Sequence, residues 1–581
     1  MSALPFSAAT DVVTLTVEIA GNELPGTVPV LGAEVVNQAN RVPYARLRIG
    51  DGDAAVGDFE HSSSALFVPG NKIVLKAGYH GKTEAVFTGV VLSQRLVVRR
   101  GSSWLEVDCR DPVFRMTLVR RNRYFEKTKD SAVAETLLQE YKSDDVTADI
   151  RATDVEHPQL LQYQATDWDF MIARLESAGQ ICCVSGGKVK SLKPSLDADP
   201  AVEIAYGATL LELDAEMDAR TQTGGVRAIA WDPSGQALAE ASATDPGWKG
   251  NGNLSATRLS GAAGRKEDLL WHGGSLASDE LQALADGALL RARLAASRGR
   301  VRFQGVTAVQ PGTVLTLSHI SDRFNGNVYV TGVRHEFSGG NWSTDAEFGM
   351  PRETHAERAP ISHLPAAGLV AAVHGLQVGV VTELAEDPGK EHRVRVKVPL
   401  AGMDEQGVWA RVATLDAGDK RGMFFRPEKG DEVALGYFHA DPSQPVVIGM
   451  LHSSAKAPPF DPTADNDQKG YVSRSGITLR FDDKDKIVVL ETPGGNRITL
   501  SDKDGSLVLE DKNGNKLAMD KDGIALTSVK AVSVKAKTDL KAEAGNVEMK
   551  ASIGLKVKGT SQAEISSSGA LTVKGAMVMI N

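Results

Sequence analysis

The sequence predicts a mainly β chain whose last part is a β-prism that three copies would have to braid together. Two observations carry this. From Ile524 onward, short apolar units restart at Ile524, Val532, Leu540, Val547, Leu555, Ala563 and Leu571, a spacing of about eight residues with one slip. A short fixed period of this kind marks a β-solenoid or prism. Before it, the chain is a succession of strand-like runs broken by Gly, Asn and Asp. Gly is high at 57 and aromatics make up only 6% of 581 residues, which favours small strands and turns over a large helical core.

The terminal repeat is justified first, because it needs partners. Val532, Val534 and Ala536 alternate with Ser533, Lys535 and Lys537. Strand side chains have a period of two, so one face is apolar and the other basic or hydroxylic. Gly545, Gly554, Gly559, Gly569 and Gly575 stand where the ribbon has to turn. A single narrow ribbon with one apolar face and two open edges would aggregate or stay loose. Three chains winding together can bury that face on a common axis and pair the edges. The exposed Lys residues (Lys530, Lys535, Lys537, Lys541, Lys550, Lys556, Lys558, Lys574) then keep the outer surface from stacking on its neighbours. A disordered tail would not keep Val, Leu, Ile and Met in register.

Bulk properties narrow the function. A chain of 581 residues suggests three to five domains. The net charge of −9 speaks against a nucleic-acid binder. The opening MSALPFSAATDVV has neither a basic start nor an apolar run, so assembly in the cytoplasm without a signal peptide is expected. No stretch reaches the ~20 apolar residues that span a bilayer. Cys109, Cys182 and Cys183 are an odd, clustered set that makes no disulfide framework.

In chain order, residues 1–110 read as a first β domain, barrel or sandwich, with runs such as VVTLTVEI, KIVLKAGY and WLEVDCR. Residues 111–200 are a mixed insert. Asp130 is placed to cap a helix over SAVAETLLQEYK, and Thr166 and Asp169 have capping-box spacing ahead of a second helix that Gly179 ends. ICCVSGGKVKSLKP follows as a hairpin. Residues 201–355 hold a third helix, from 278 to about 297, and a second β domain; 356–368 are a Pro-rich linker. Residues 369–457 carry five short strands suited to an OB-fold barrel. Residues 458–523 are a neck and a ladder of longer hairpins, and 524–581 the prism.

Motifs for chemistry are weak. DKDG at 502–505, DKNGN from 511 and DKDG at 520–523 resemble calcium loops only loosely, and Asp-x-Asp/Asn-Gly is what a hairpin turn requires. Gly81-Lys82-Thr83 lacks the upstream glycine of a phosphate loop, and Ser185-Gly-Gly-Lys188 lacks companion motifs. Adjacent Cys182 and Cys183 have no zinc spacing, and His319 and His335 fall in strands. No catalytic residue, cofactor site or metal site is expected.

Three stretches together carry a family resemblance: TDWDFMIARLESAGQ; the OB segments HRVRVKVP, WARVATLDAG, FRPEKGDEV and GYFHADPSQPVVIGML; and SRSGITLRFDDKDKIVVLETPGGNRITLSD. They resemble the VgrG family of central spike proteins in contractile injection systems, with the phage hub–spike pair as its relative. The resemblance implies two related hub barrels with inserted helices, an OB collar and a trimeric needle. It implies a homotrimer docked on a hexameric inner-tube protein and on baseplate proteins, breaching a target membrane mechanically. A PAAR-type tip protein would cap the apolar end at Met577, Val578, Met579, Ile580 and Asn581. No effector domain follows Asn581, and only about fifteen residues lie where a phage spike carries a lysozyme. The extracellular injection particle is therefore the expected type. The alternative is a type VI secretion or phage tail spike with a cell-wall-degrading or effector-carrying role.

Overall fold

The computed structural model describes residues 12–402 and 406–580. The chain forms two compact units: residues 1–373 with 439–442, and residues 374–438 with 443–581.

The first unit is β-rich, and its two β halves share one thirteen-stranded sheet. The junction is the long strand Gly326–Ser338, which pairs antiparallel with both Val30–Gln38 and Asn341–Phe348. Each half keeps its own core. One is built on Leu47, Ile49, Phe67, Ile73, Leu75 and Leu105, the other on Val301, Phe303, Leu315, Val330 and Phe348. Strict alternation in strands such as Tyr44–Gly50 (YARLRIG) puts Ala45, Leu47 and Ile49 inward and the arginines outward, so the sheet face is fixed by the sequence.

The insert is helical where the period changes from two to 3.6. In helix Asp167–Ser177, Trp168, Met171, Ile172 and Leu175 are buried, and Thr166 caps it by accepting from the Asp169 N–H at 3.0 Å. Gly179 follows in the left-handed region, at φ +71°, as a helix stop requires. The preceding helix, Asp130–Gln139, corrects one expectation: Lys129 occupies the cap position, and Asp130 does not cap. Asp130 is instead buried, 3.0 Å from His157 Nε2 and accepting from Arg174 Nε at 2.6 Å. A carboxylate gains more from these charge-assisted partners than from neutral backbone amides.

Buried carboxylates also pin the halves of this unit together. Glu176 accepts from Asn40 Nδ2 (2.7 Å), Arg291 Nη1 (2.9 Å) and the His355 N–H (2.7 Å), so one side chain ties the first β half, its own helix, helix Ser278–Leu294 and the turn at His355. Asp111 accepts from the Val113 and Gly187 N–H groups, and its burial raises its pKa to about 6.

The second unit opens with a closed barrel of five strands, Gln377–Glu383, Val394–Lys397, Val408–Val412, Glu432–Tyr437 and Pro445–Met450. This is the OB barrel expected from five short strands. Its core is small: Val381, Val394, Val396, Ala410, Val433, Leu435 and Val447. Gly379 is needed inside it, because a Cβ there would stand 2.5 Å from Val396 and 2.7 Å from Leu435. A seven-stranded antiparallel ladder, from Gln468–Val472 to Gly523–Thr527, follows the barrel in this unit.

Candidate functional site

The ladder is built from five-residue strands of alternating apolar and polar residues. Cross-strand partners in an antiparallel sheet point to the same face, so its register shows what each face carries. Tyr471, Leu479, Leu490, Ile498, Leu509, Leu517 and Leu526 stand opposite one another in succession. Phe481, Val488, Leu500, Leu507, Met519 and Ile524 form a second row beside them on the same face. Between these rows, on the opposite face, lie Arg480, Val489, Thr499, Val508, Ala518 and Ala525.

The first row is therefore apolar across all seven strands, about 29 Å at the usual strand spacing, and the second across six, with Lys469 opposite Phe481 at its end. This face is also open: Leu490 is 44%, Leu500 49% and Ile524 74% exposed. Soluble monomers rarely leave more than a few hundred Å² of contiguous apolar surface uncovered.

The hairpins themselves need no help. The motif from Asp511 makes its own turn: the carboxylate accepts from the Asn513 and Asn515 N–H groups, each at 2.9 Å, and from both side-chain amides. These bonds lower the Asp511 pKa to about 2. The motifs at 502–505 and 520–523 likewise close hairpins, between strands Arg497–Ser501 and Ser506–Glu510 and between Lys516–Asp520 and Gly523–Thr527. All three Asp-rich motifs are turns.

Beyond Ser528 the chain changes character. Residues 529–580 are exposed throughout, and no strand or backbone–backbone hydrogen bond is formed there among the described residues. The predicted short strands thus lack pairing within one chain, because eight residues are too few to run out, turn and pair with themselves. The side-chain pattern nevertheless continues the two rows, as Val532 and Val534, Val547 and Met549, Leu555 and Val557, and Leu571 and Val573. The exposure of these residues runs from 55% at Val532 to 74% at Val557. Met577, Val578, Met579 and Ile580 are 78%, 50%, 77% and 92% exposed, and Asn581 lies outside the described residues.

The other motifs have plain structural roles. Gly81-Lys82-Thr83 belongs to a hairpin in which His80 and Gly81 both have positive φ, as a tight two-residue turn demands. Ser185 to Lys188 is a second such turn through Gly186 and Gly187. The three cysteines are free and buried; burial pushes the Cys183 thiol up to about 12, and the other two are raised as well. His335 is buried, 3.0 Å from Thr344 Oγ1, and its burial lowers its pKa to about 4; His319 is exposed. No group of three or more metal-ligating side chains occurs among the described residues. No helix among them is long and apolar enough to cross a membrane.

What the sequence reading missed is the extent of the apolar face. It was visible from Ile524 onward, but the two rows begin fifty residues earlier, at Tyr471 and Phe481. The signal was present as Leu-x-Phe, Val-x-Leu, Ile-x-Leu, Leu-x-Leu and Leu-x-Met at the same phase of successive hairpins.

A β hub, a five-stranded OB barrel and a ladder open along one face define the spike class of baseplate protein. Residues 9–339 match the Alg8 N-terminal domain, 377–452 the type VI secretion system/phage-baseplate injector OB domain, and 486–581 the phage baseplate V C-terminal trimerisation domain. The chain belongs to the VgrG-like family of phage baseplate V spike proteins, with an N-terminal part in the Alg8 N-terminal domain family.

Among its relatives, the type VI secretion system spike protein VgrG4b of Pseudomonas aeruginosa is 30% identical over 146 residues, 23% of this chain and 16% of that protein. VgrG1a of the same organism is 28% identical over 113 residues, 18% of each chain. The matched stretches thus span less than a fifth of these relatives' length. Among solved structures, the tail protein from Neisseria meningitidis MC58 aligns with 60% of this chain and 99% of its own, at 14% identity and a TM-score of 0.44. The E. coli c3393 protein, a type VI secretion system component, aligns with 75% of this chain and 99% of its own, at 13% identity and a TM-score of 0.37.

Proposed function

We propose that the chain is the homotrimeric central spike of a contractile injection system and that it works by rigidity rather than by catalysis. The observation that carries this is the two-row apolar face of residues 471–526, continued at the same alternation into a tail whose backbone has no backbone partner among the described residues. Three copies related by an axis along that face bury both rows at once. The tail strands of each copy then pair with those of the other two, which a single ribbon cannot do. Such a shaft transmits axial force because bending it requires breaking backbone pairing in three chains together.

On this reading the hub docks on the hexameric inner tube and the surrounding baseplate proteins. A PAAR-type protein seats on Met577, Val578, Met579, Ile580 and Asn581, and the target membrane is breached mechanically. The chain assembles in the cytoplasm, and the phage-tail-like particle acts outside the cell after release. Residue ranges 1–110, 111–200, 201–355, 369–457, 458–523 and 524–581 are the working domains of this assembly.

Native mass spectrometry of the purified full chain tests the proposal. The expected species is three times the chain mass of 61.8 kDa. A stable, folded monomer at micromolar concentration would overturn it.

A further inference from the structure

The hub unit contains a cavity of about 410 Å³ between the segment around Trp248 and the C-terminal end of helix Ser278–Leu294. That volume lies within the roughly 300–1,000 Å³ of small-ligand sites. Its lining includes two cations, Arg293 and Lys249, and no carboxylate.

Arg293 is the unusual member. It is 6% exposed, and among the described residues its guanidinium bonds only through Nη1, to the Thr223 carbonyl at 2.9 Å and to Gln222 Oε1 at 3.5 Å. No carboxylate among the described residues lies within ion-pair range of it. Arg291, two positions earlier on the same helix and also buried, is paired with Glu176 at 2.9 Å. A buried arginine without a counter-ion is costly, and one with most of its donors unused presents a fork shaped for a carboxylate. Burial lowers the Arg293 pKa, and the charge of Asp245 opposes this without forming a pair.

Ser297, on the same cavity wall, has a buried Oγ with no hydrogen-bond partner. Trp248, Leu259 and Phe348 supply apolar walls. An inorganic anion would leave those walls dry and empty, and a neutral apolar molecule would leave Arg293 and Ser297 unanswered.

We propose that this cavity is a binding site for a small organic carboxylate with an apolar body. The carboxylate accepts from Arg293 and Ser297, and the body lies against Trp248, Leu259 and Phe348. Isothermal titration of the full chain with octanoate, octanol and inorganic phosphate tests it. Octanoate should bind once per chain, at least tenfold more tightly than either of the others.

Arg293→Met should weaken octanoate at least tenfold and leave octanol unchanged. Because that substitution also removes the bond to Thr223, Leu259→Trp provides a second arm: it fills the apolar part, spares Arg293, and should abolish octanoate binding. Three outcomes would each overturn the site: no octanoate binding, octanol or phosphate binding as tightly as octanoate, or octanoate binding untouched by Leu259→Trp.

Discussion

Residues 468–527 and 528–580 carry the same side-chain alternation but differ in what one chain can do for them. The ladder closes its backbone hydrogen bonds strand by strand, and leaves an apolar face and the outer edges of its two end strands unsatisfied. The tail leaves both the face and the backbone unsatisfied. The difference lies in unit length. A five-residue strand followed by a turn such as 511–515 returns the chain antiparallel beside itself, so pairing is local. An eight-residue unit with no such turn cannot return, so its pairing has to come from another chain. One physical demand, covering an apolar face, is therefore met with two degrees of dependence on partners.

The substitution with the largest expected effect attacks what the two regions share. Leu500→Asp places a carboxylate in the second apolar row, and in the assembled trimer three of them would meet near the axis. Each buried charge costs several kcal/mol, so the association constant should fall by roughly 10³-fold or more. Native mass spectrometry should then find single chains. Thr499→Asp, one residue away on the opposite face, should leave the mass unchanged. If both variants behaved alike, the face would not be the interface.

The next separates the regions. Hydrogen exchange in the assembled protein should be slow across both 468–527 and 528–580, although only the first has partners within its own chain. Lys556→Pro removes one donor from the tail. If the tail is paired between chains, each copy loses about 1 kcal/mol of hydrogen bonding and the shaft melts earlier. Lys556→Ala should melt like the parent. Fast exchange throughout 528–580 would leave the tail an unpaired ribbon and restrict the interface to the ladder.

A smaller, local effect is expected at the end of the tail. Met577→Glu with Met579→Glu should weaken capture of a PAAR-type protein at least tenfold while leaving the trimer mass intact, since charges at the blunt end disturb the cap and not the shaft.

How much of this was legible in the sequence follows from the range of the interactions involved. The OB barrel was readable because its five strands are short, alternating and punctuated by turns. The tail was readable because its period is fixed. The single sheet joining the hub halves was not, because its junction, His335 and Arg334 opposite Val35 and Val36, pairs residues three hundred positions apart. Asp130 was misread as a cap for a related reason. Its local spacing is right, but its partners, buried His157 and half-buried Arg174, come from elsewhere in the chain, and they satisfy it better. The cavity at Arg293 left no signal at all, since a missing counter-ion is a fact about packing.

The smallest effect tests whether ladder turns are as self-sufficient as their bonds imply. Asp511 is held at about 2, below its ordinary value of 3.8, chiefly by the side-chain amides of Asn515 and Asn513, with their N–H groups adding to this. A carboxylate whose folded-state pKa is depressed stabilises the fold fully above its unfolded pKa and loses that contribution as the pH falls through its folded pKa. The stabilisation from Asp511 is thus full above its ordinary value of 3.8 and is lost as the pH falls through about 2. Asp511→Ala should lower the melting temperature slightly at pH 7, because the turn is exposed and its bonds compete with water, and by less still at pH 2. Exchange of the 516–520 amides should quicken in the same acid window while that of 547–557 does not, since the tail owes its pairing to neighbours and none of it to this turn. Acid loosening of both segments together would mean that ladder and tail form one cooperative unit, and that the boundary at Ser528 marks a change of partner without a change of stability.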